Sequence, residues 1–115
     1  MIRTQYRFDI RKRDRLLVVR LFGEIDHHGA ATLRREIDEL LLRERPARLV
    51  LDLSRIEFMD SAGLGFLMGR LRLLRELGGT MAVSSPNEGV RKILRLAGME
   101  RFIEIEGETE KGDRR

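Results

Sequence analysis

The sequence predicts an α/β fold: one mixed β-sheet with helices packed on it, in the order β-β-α-β-α-β-α-(β). Three observations predict it. Short apolar, β-branched runs alternate with longer segments whose apolar residues recur at helical spacing. A charged turn alone divides the first two runs, while helical segments divide the later ones, so the sheet opens antiparallel and continues parallel. Each helical segment also meets stop chemistry, at Pro46, at Gly78-Gly79 and at Gly98.

The elements follow in order. Residues 6–10 and 16–22 form a β-hairpin around Arg11-Lys12-Arg13-Asp14-Arg15, and residues 23–29 form a loop. From Ala30 onward, Leu33, Ile37, Leu40 and Leu41 make one helical stripe that ends before Pro46. Residues 49–53 read as a buried strand, and Ile56 and Phe58 lead out of the loop after it. Leu64, Leu67, Met68, Leu71 and Leu74 stripe the second helix, with Ser61 placed as its N-cap. Residues 80–83 form the next strand. Ser85-Pro86-Asn87-Glu88 then reads as a capping box, with Ser85 at N-cap, Pro86 at the first helical position and Glu88 at N3. Val90, Ile93, Leu94 and Ala97 form the buried face of that third helix, and Gly98 closes it. Residues 102–105 supply a last short strand. Residues 107–115 are almost entirely small or charged, and read as a flexible tail after a domain at 1–106.

With 115 residues the chain has room for one core. The absence of cysteine excludes disulfides, a thiol nucleophile and Cys-ligated metals. The longest stretch without a charged side chain, residues 77–87, is far short of the roughly 20 residues that span a bilayer. No apolar export segment opens the chain, so a cytoplasmic location is expected. A net charge of +4 and a pI near 10.3 raise the question of nucleic acid. The arginines are interspersed with acids, aromatics make up 5% and Trp is absent, which leaves no stacking platform.

Candidate catalytic groups are sparse. His27 and His28 are the only histidines, and as neighbours they project apart, which makes poor joint metal ligands. Gly63-Leu64-Gly65 starts a GxGxxG pattern, but Met68 stands at its third glycine. Asp26, Asp52 and Asp60 fall at strand or loop ends, where capping a turn competes with any chemical role. No catalytic residue, metal site or cofactor is expected. What stands out is Phe58-Met59-Asp60-Ser61-Ala62-Gly63-Leu64-Gly65-Phe66-Leu67-Met68-Gly69-Arg70. Two glycines in a first helical turn each cost about 1 kcal/mol against Ala, and both would let another molecule approach the Ser61 hydroxyl.

That run closely resembles the phosphoacceptor region of STAS domains, specifically the anti-sigma factor antagonists. The loop Gly23-Glu24-Ile25-Asp26-His27-His28, the Gly78-Gly79 strand entry and the Leu96-Ala97-Gly98-Met99 helix end resemble theirs too, over about residues 8–106. The resemblance implies a phosphoacceptor at Ser61 and partner contacts at Asp26, Asp60, Ala62, Gly63, Leu64 and Gly65. It implies an anti-sigma factor that is itself an ATP-dependent serine kinase, and a metal-dependent serine phosphatase that resets the switch. The unphosphorylated form would bind that kinase and free a sigma factor. On this reading the chain is a substrate and a binding module and not an enzyme, with no direct contact to nucleic acid or membrane. Ala62 departs from the sporulation-type antagonists, which carry a second serine there, so sporulation and stress response both stay open. A STAS-type scaffold or small-ligand-binding signalling domain is the alternative.

Overall fold

The computed structural model describes residues 8–107. Its order is β1 (Phe8–Arg13), β2 (Leu16–Ile25), α1 (Ala30–Glu44), β3 (Arg48–Met59), α2 (Ser61–Glu76), β4 (Thr80–Ser84), α3 (Glu88–Leu96), a 3-10 turn (Met99–Arg101) and β5 (Glu104–Glu106). The strands lie side by side as β1-β2-β3-β4-β5. β1 runs antiparallel to β2, and every later pair is parallel. This is the expected mixed sheet. Tyr6 and the tail from residue 108 onward lie outside the described residues.

The sheet has one core face and one open face, and the register dictates which side chains go where. Leu17, Leu49 and Met81 form one row, and Val19, Leu51, Val83 and Ile105 form another. These point toward the helices and join Leu33, Ile37 and Leu41 of α1, Leu67 and Leu74 of α2, and Val90 and Leu94 of α3 in one apolar cluster. The alternate residues face outward. Arg20 pairs with Asp52 at 3.2 Å, and Arg48 reaches across β4 to Glu104 at 3.0 Å and to Glu106. Period-two alternation therefore decides which face the helices can cover.

β1 continues past Ile10 to Arg13, through most of the charged stretch expected to be the turn, and β2 and β3 overrun their expected ranges further. β2 continues through Gly23 and Glu24 to Ile25, and β3 runs unbroken to Met59, where residues 23–29 and the stretch after Leu53 read as loops. Register shifts at Arg20/Phe22 and Gly23/Glu24 break the alternation there, which hides the strands from a period-two reading. β4 pairs with β3 only as far as Asp52↔Ser84, so the ends of β2 and β3 project beyond the sheet as a two-stranded tongue.

The third helix also starts differently from the capping-box reading. Its N-cap is Asn87, whose side chain accepts the Val90 N–H at 2.8 Å. Ser85 sits at φ +55°, and its N–H donates to Glu106 O at 2.8 Å, prolonging the β4–β5 pairing. A backbone committed to that bond and followed by proline is not free to open a helix.

Helices α1 and α2 are joined by a buried charge. Arg70 is only 4% exposed; it donates to Phe66 O at 3.0 Å and to Asp38 Oδ2 at 3.3 Å, and its guanidinium lies 5.1 Å from the Phe66 ring. Its Nε approaches Asp38 Oδ1 to 2.7 Å without its N–H being aimed at it, so that contact is electrostatic only. Burial pulls the Arg70 pKa down, and the Asp38 charge opposes that pull. Asp38→Ala strands a buried cation and should cost about 2–3 kcal/mol, while Arg70→Met, which replaces the charge with an apolar chain, should cost clearly less. Urea unfolding of both variants checks the order.

The first turn of α2 sets its two glycines apart. A Cβ on Gly63 would stand 2.2 Å from Met59 Cγ and 3.1 Å from Ile25 O, whereas one on Gly65 would meet nothing within 4 Å. Gly63 is thus a packing requirement, where the sequence alone suggests open space for a partner. Gly63→Ala should destabilise by about 1–3 kcal/mol through overpacking against a fully buried methionine. Gly65→Ala should be neutral or stabilising by up to about 1 kcal/mol. Thermal melts of the two variants, with opposite expected signs, make the comparison.

Candidate functional site

Parallel strands deliver their C-terminal ends to one edge, and the three turns that leave β2, β3 and β4 for the helices meet there. The β2 and β3 tongue brings two of them closest. Ile25 is in register with Met59, and the Asp60 N–H points to Ile25 O at 3.4 Å. Asp26 and Asp60 are each the next residue, so the structure brings these two expected site residues together.

The turn after β3 is capped by Asp60 rather than by Ser61. Asp60 has extended backbone angles, φ −117° and ψ −164°, and its carboxylate accepts the Ala62 N–H at 2.8 Å. Its carbonyl accepts from Gly63 at 2.9 Å and Leu64 at 3.4 Å. Ser61 moves to the first helical position. A serine at the cap would spend its hydroxyl on a backbone N–H. Here Asp60 does that work, and the exposed Ser61 hydroxyl forms no hydrogen bond among the described residues. Around it, Gly65 is exposed, Ala62 and Leu64 are half-buried, and Gly63 is buried.

Asp26 organises its own turn. One carboxylate oxygen accepts from the His28 N–H at 3.1 Å and the Gly29 N–H at 3.2 Å, and its carbonyl accepts from Ala30 at 2.9 Å. The Gly29 bond, more than anything else, holds the carboxyl below its ordinary pKa, so it is charged at neutral pH. The N-cap Gly29 has no side chain to offer, so Asp26 provides the anionic start of α1. His27 and His28 are exposed beside it, and the turn brings their rings to 4.2 Å, where the sequence reading has them projecting apart. Among the described residues no group of three or more His, Asp or Glu side chains is placed to hold a metal. Asp52 is occupied as well, by Arg20 and by the Ser54 N–H at 2.9 Å.

Two residues here escape a reading of the sequence. Asn87 caps α3 and also donates from Nδ2 to Ile56 O at 3.1 Å, satisfying a β3 carbonyl that no longer has β4 beside it. The Ser-Pro pair masked it, although Asn is as good a cap as Ser. Phe58, 49% exposed on the tongue and in register with Glu24, places an aromatic ring two residues from the Asp60 cap. The irregular register gave no alternation from which its exposure could be read.

The assembled edge holds an unoccupied hydroxyl at a helix start, flanked by carboxylates and by apolar surface. A family model described as the STAS domain matches residues 7–112. The anti-sigma F factor antagonist of Paenibacillus polymyxa is 40% identical over 90 residues, covering 78% of this chain and 77% of that protein. The anti-sigma factor antagonist SpoIIAA in its unphosphorylated form superposes with a TM-score of 0.74 at 30% identity, over 90% of this chain and 91% of that one. The Bacillus cell fate determinant SpoIIAA in its phosphorylated form gives 0.66 at 28% identity, over 90% and 95%. By strand order and by these likenesses, the chain belongs to the STAS domain family, alongside the anti-sigma factor antagonists.

Proposed function

We propose that this protein is a cytoplasmic anti-sigma factor antagonist switched by phosphorylation of Ser61. The observation that carries the reading is the Ser61 hydroxyl, exposed at the first position of α2 and released from capping by Asp60. The partner is an anti-sigma factor acting as an ATP-dependent serine kinase. Ser61 Oγ forms a bond to the γ-phosphorus, the bond from that phosphorus to ADP breaks, and the hydroxyl proton passes to a base on the kinase. A metal-dependent phosphatase hydrolyses the ester and restores the hydroxyl. In the unphosphorylated state Asp26, Asp60, Ala62, Leu64 and Gly65 face the partner, and the sigma factor is freed. Gly63 supports that surface from beneath.

On this reading the switch acts between molecules. A phosphate adds about −1.5 to −2 charges and three acceptor oxygens. A helix N-terminus favours an anion by roughly 0.3–1 kcal/mol, while the adjacent Asp60 and Asp26 carboxylates oppose it. The near balance leaves the fold intact. Bulk and charge then fall where the open Gly65 surface admits a partner.

The test uses the anti-sigma F factor of Paenibacillus polymyxa, which the 40%-identical relative is named for antagonising. With ATP, the parent should gain one phosphate by intact mass. Phosphorylated protein should keep its amide NMR spectrum outside the α2 start and lose at least about tenfold in affinity, or ~1.4 kcal/mol. Ser61→Ala should bind and stay unmodified, and Ser61→Asp should bind weakly. Equal affinity of the two forms, or no phosphate on Ser61, overturns the switch.

Asp26 yields a separate expectation. Asn at that position can still accept both turn N–H bonds through its carbonyl, so Asp26→Asn should melt close to the parent. Loss of the charge should lower kinase affinity and flatten its salt dependence. An unchanged titration would confine Asp26 to closing the turn before α1.

A further inference from the structure

A groove lies farther along the molecule, between α2 and the chain segment after the 3-10 turn, outside the residues assigned to the switch. It is lined by Met68, Leu71, Arg72, Arg75, Glu76 and Phe102. Phe102 is 47% exposed, a large aromatic left at the surface although the core lies directly beneath Leu71, itself 3% exposed. Arg72 and Arg75 are both exposed, and neither makes an ion pair among the described residues. Glu76 is the single carboxylate in the lining.

Helical geometry joins this groove to the Ser61 edge. Leu64, Met68, Leu71 and Arg75 recur at i, i+4, i+7 and i+11, so one flank of α2 runs from the phosphoacceptor turn into the groove. Ser61 and Arg72 are eleven residues apart, which is about 16 Å along the axis. The other flank, at Phe66 and Arg70, is occupied by α1. A partner seated at Ser61 that follows α2 toward its C-terminus therefore meets the Leu64 flank and the groove.

We propose that the groove is a second contact for the same partner, filled by a segment that inserts an apolar side chain against Met68, Leu71 and Phe102 and sets carboxylates against Arg72 and Arg75. This inference rests on the antagonist reading. The charge of the rim selects the occupant: two free guanidinium groups beside an apolar floor match an acidic amphipathic segment. It would give the kinase a hold on the antagonist remote from the atom it modifies, so that affinity and phosphoryl transfer can be altered separately.

The experiment titrates the Paenibacillus polymyxa anti-sigma F factor against the parent and three variants: Arg72→Glu/Arg75→Glu, Phe102→Ala, and Arg11→Glu/Arg13→Glu on β1 as an equal change in net charge. The two groove variants should each lose about tenfold or more in affinity. Ser61 should still be phosphorylated when kinase is saturating. The β1 variant should bind within about twofold of the parent. Thermal melts identify any variant whose loss reflects unfolding, and the exposed arginine pair provides the arm least exposed to that problem. Parent-like binding by the arginine variant, or an equal loss in the β1 variant, overturns the groove contact. A concentration-dependent dimer of the parent that the groove substitutions abolish would assign the groove to a second copy and overturn it too. Failure of the parent itself to bind would instead count against the antagonist reading.

Discussion

The close approach of Gly63 to the ends of β2 and β3 is the contact on which the rest of the site depends. Without a side chain there, the first turn of α2 settles onto Ile25 O and Met59 at a distance no other residue permits. That seating sets the helix start directly after the strand end that holds Asp60 extended at the cap, and the cap in turn leaves the Ser61 hydroxyl without a hydrogen bond among the described residues. It also fixes Asp60 beside Asp26 through the Ile25–Met59 register. The glycine two residues later has no such duty, and its open surroundings mark the outward side of the same turn. One motif thus contains a glycine for the fold and a glycine for the surface, and only three-dimensional contacts distinguish them.

Most of the architecture was legible because period-two and period-3.6 patterns are strong wherever elements are regular. The stripe Leu33, Ile37, Leu40 and Leu41 is buried as expected, and the strands around Leu49–Leu53 and Met81–Val83 sit at the sheet's centre. The misses have separate physical causes. Register shifts near Phe22 and Gly23 erased the alternation that would have extended β2 and β3. Adjacent capping residues competed at two helix starts, and in each the later structure decided. Ser85 is drawn off by pairing with Glu106, so Asn87 caps; Asp60 outcompetes Ser61 because the strand end already holds it extended. Arg70 gave no signal at all, since a charge inside an apolar helix reads as surface until its Asp38 partner is known.

Charge is distributed unevenly along α2, and this bears on how a partner would be held. Its N-terminal end carries the Asp26 and Asp60 carboxylates, with Glu24 and Glu57 on the projecting tongue; its last turns carry Arg72 and Arg75. The helix dipole runs in the sense that both groups complement. A docking surface so polarised fixes orientation, because a partner turned end for end would oppose like charges at both ends. The phosphate of the proposed switch would deepen the negative end and leave the positive end untouched. In the proposed switch the phosphate then acts by local repulsion at one end of the docking surface, while the basic end of α2 sets the partner's alignment.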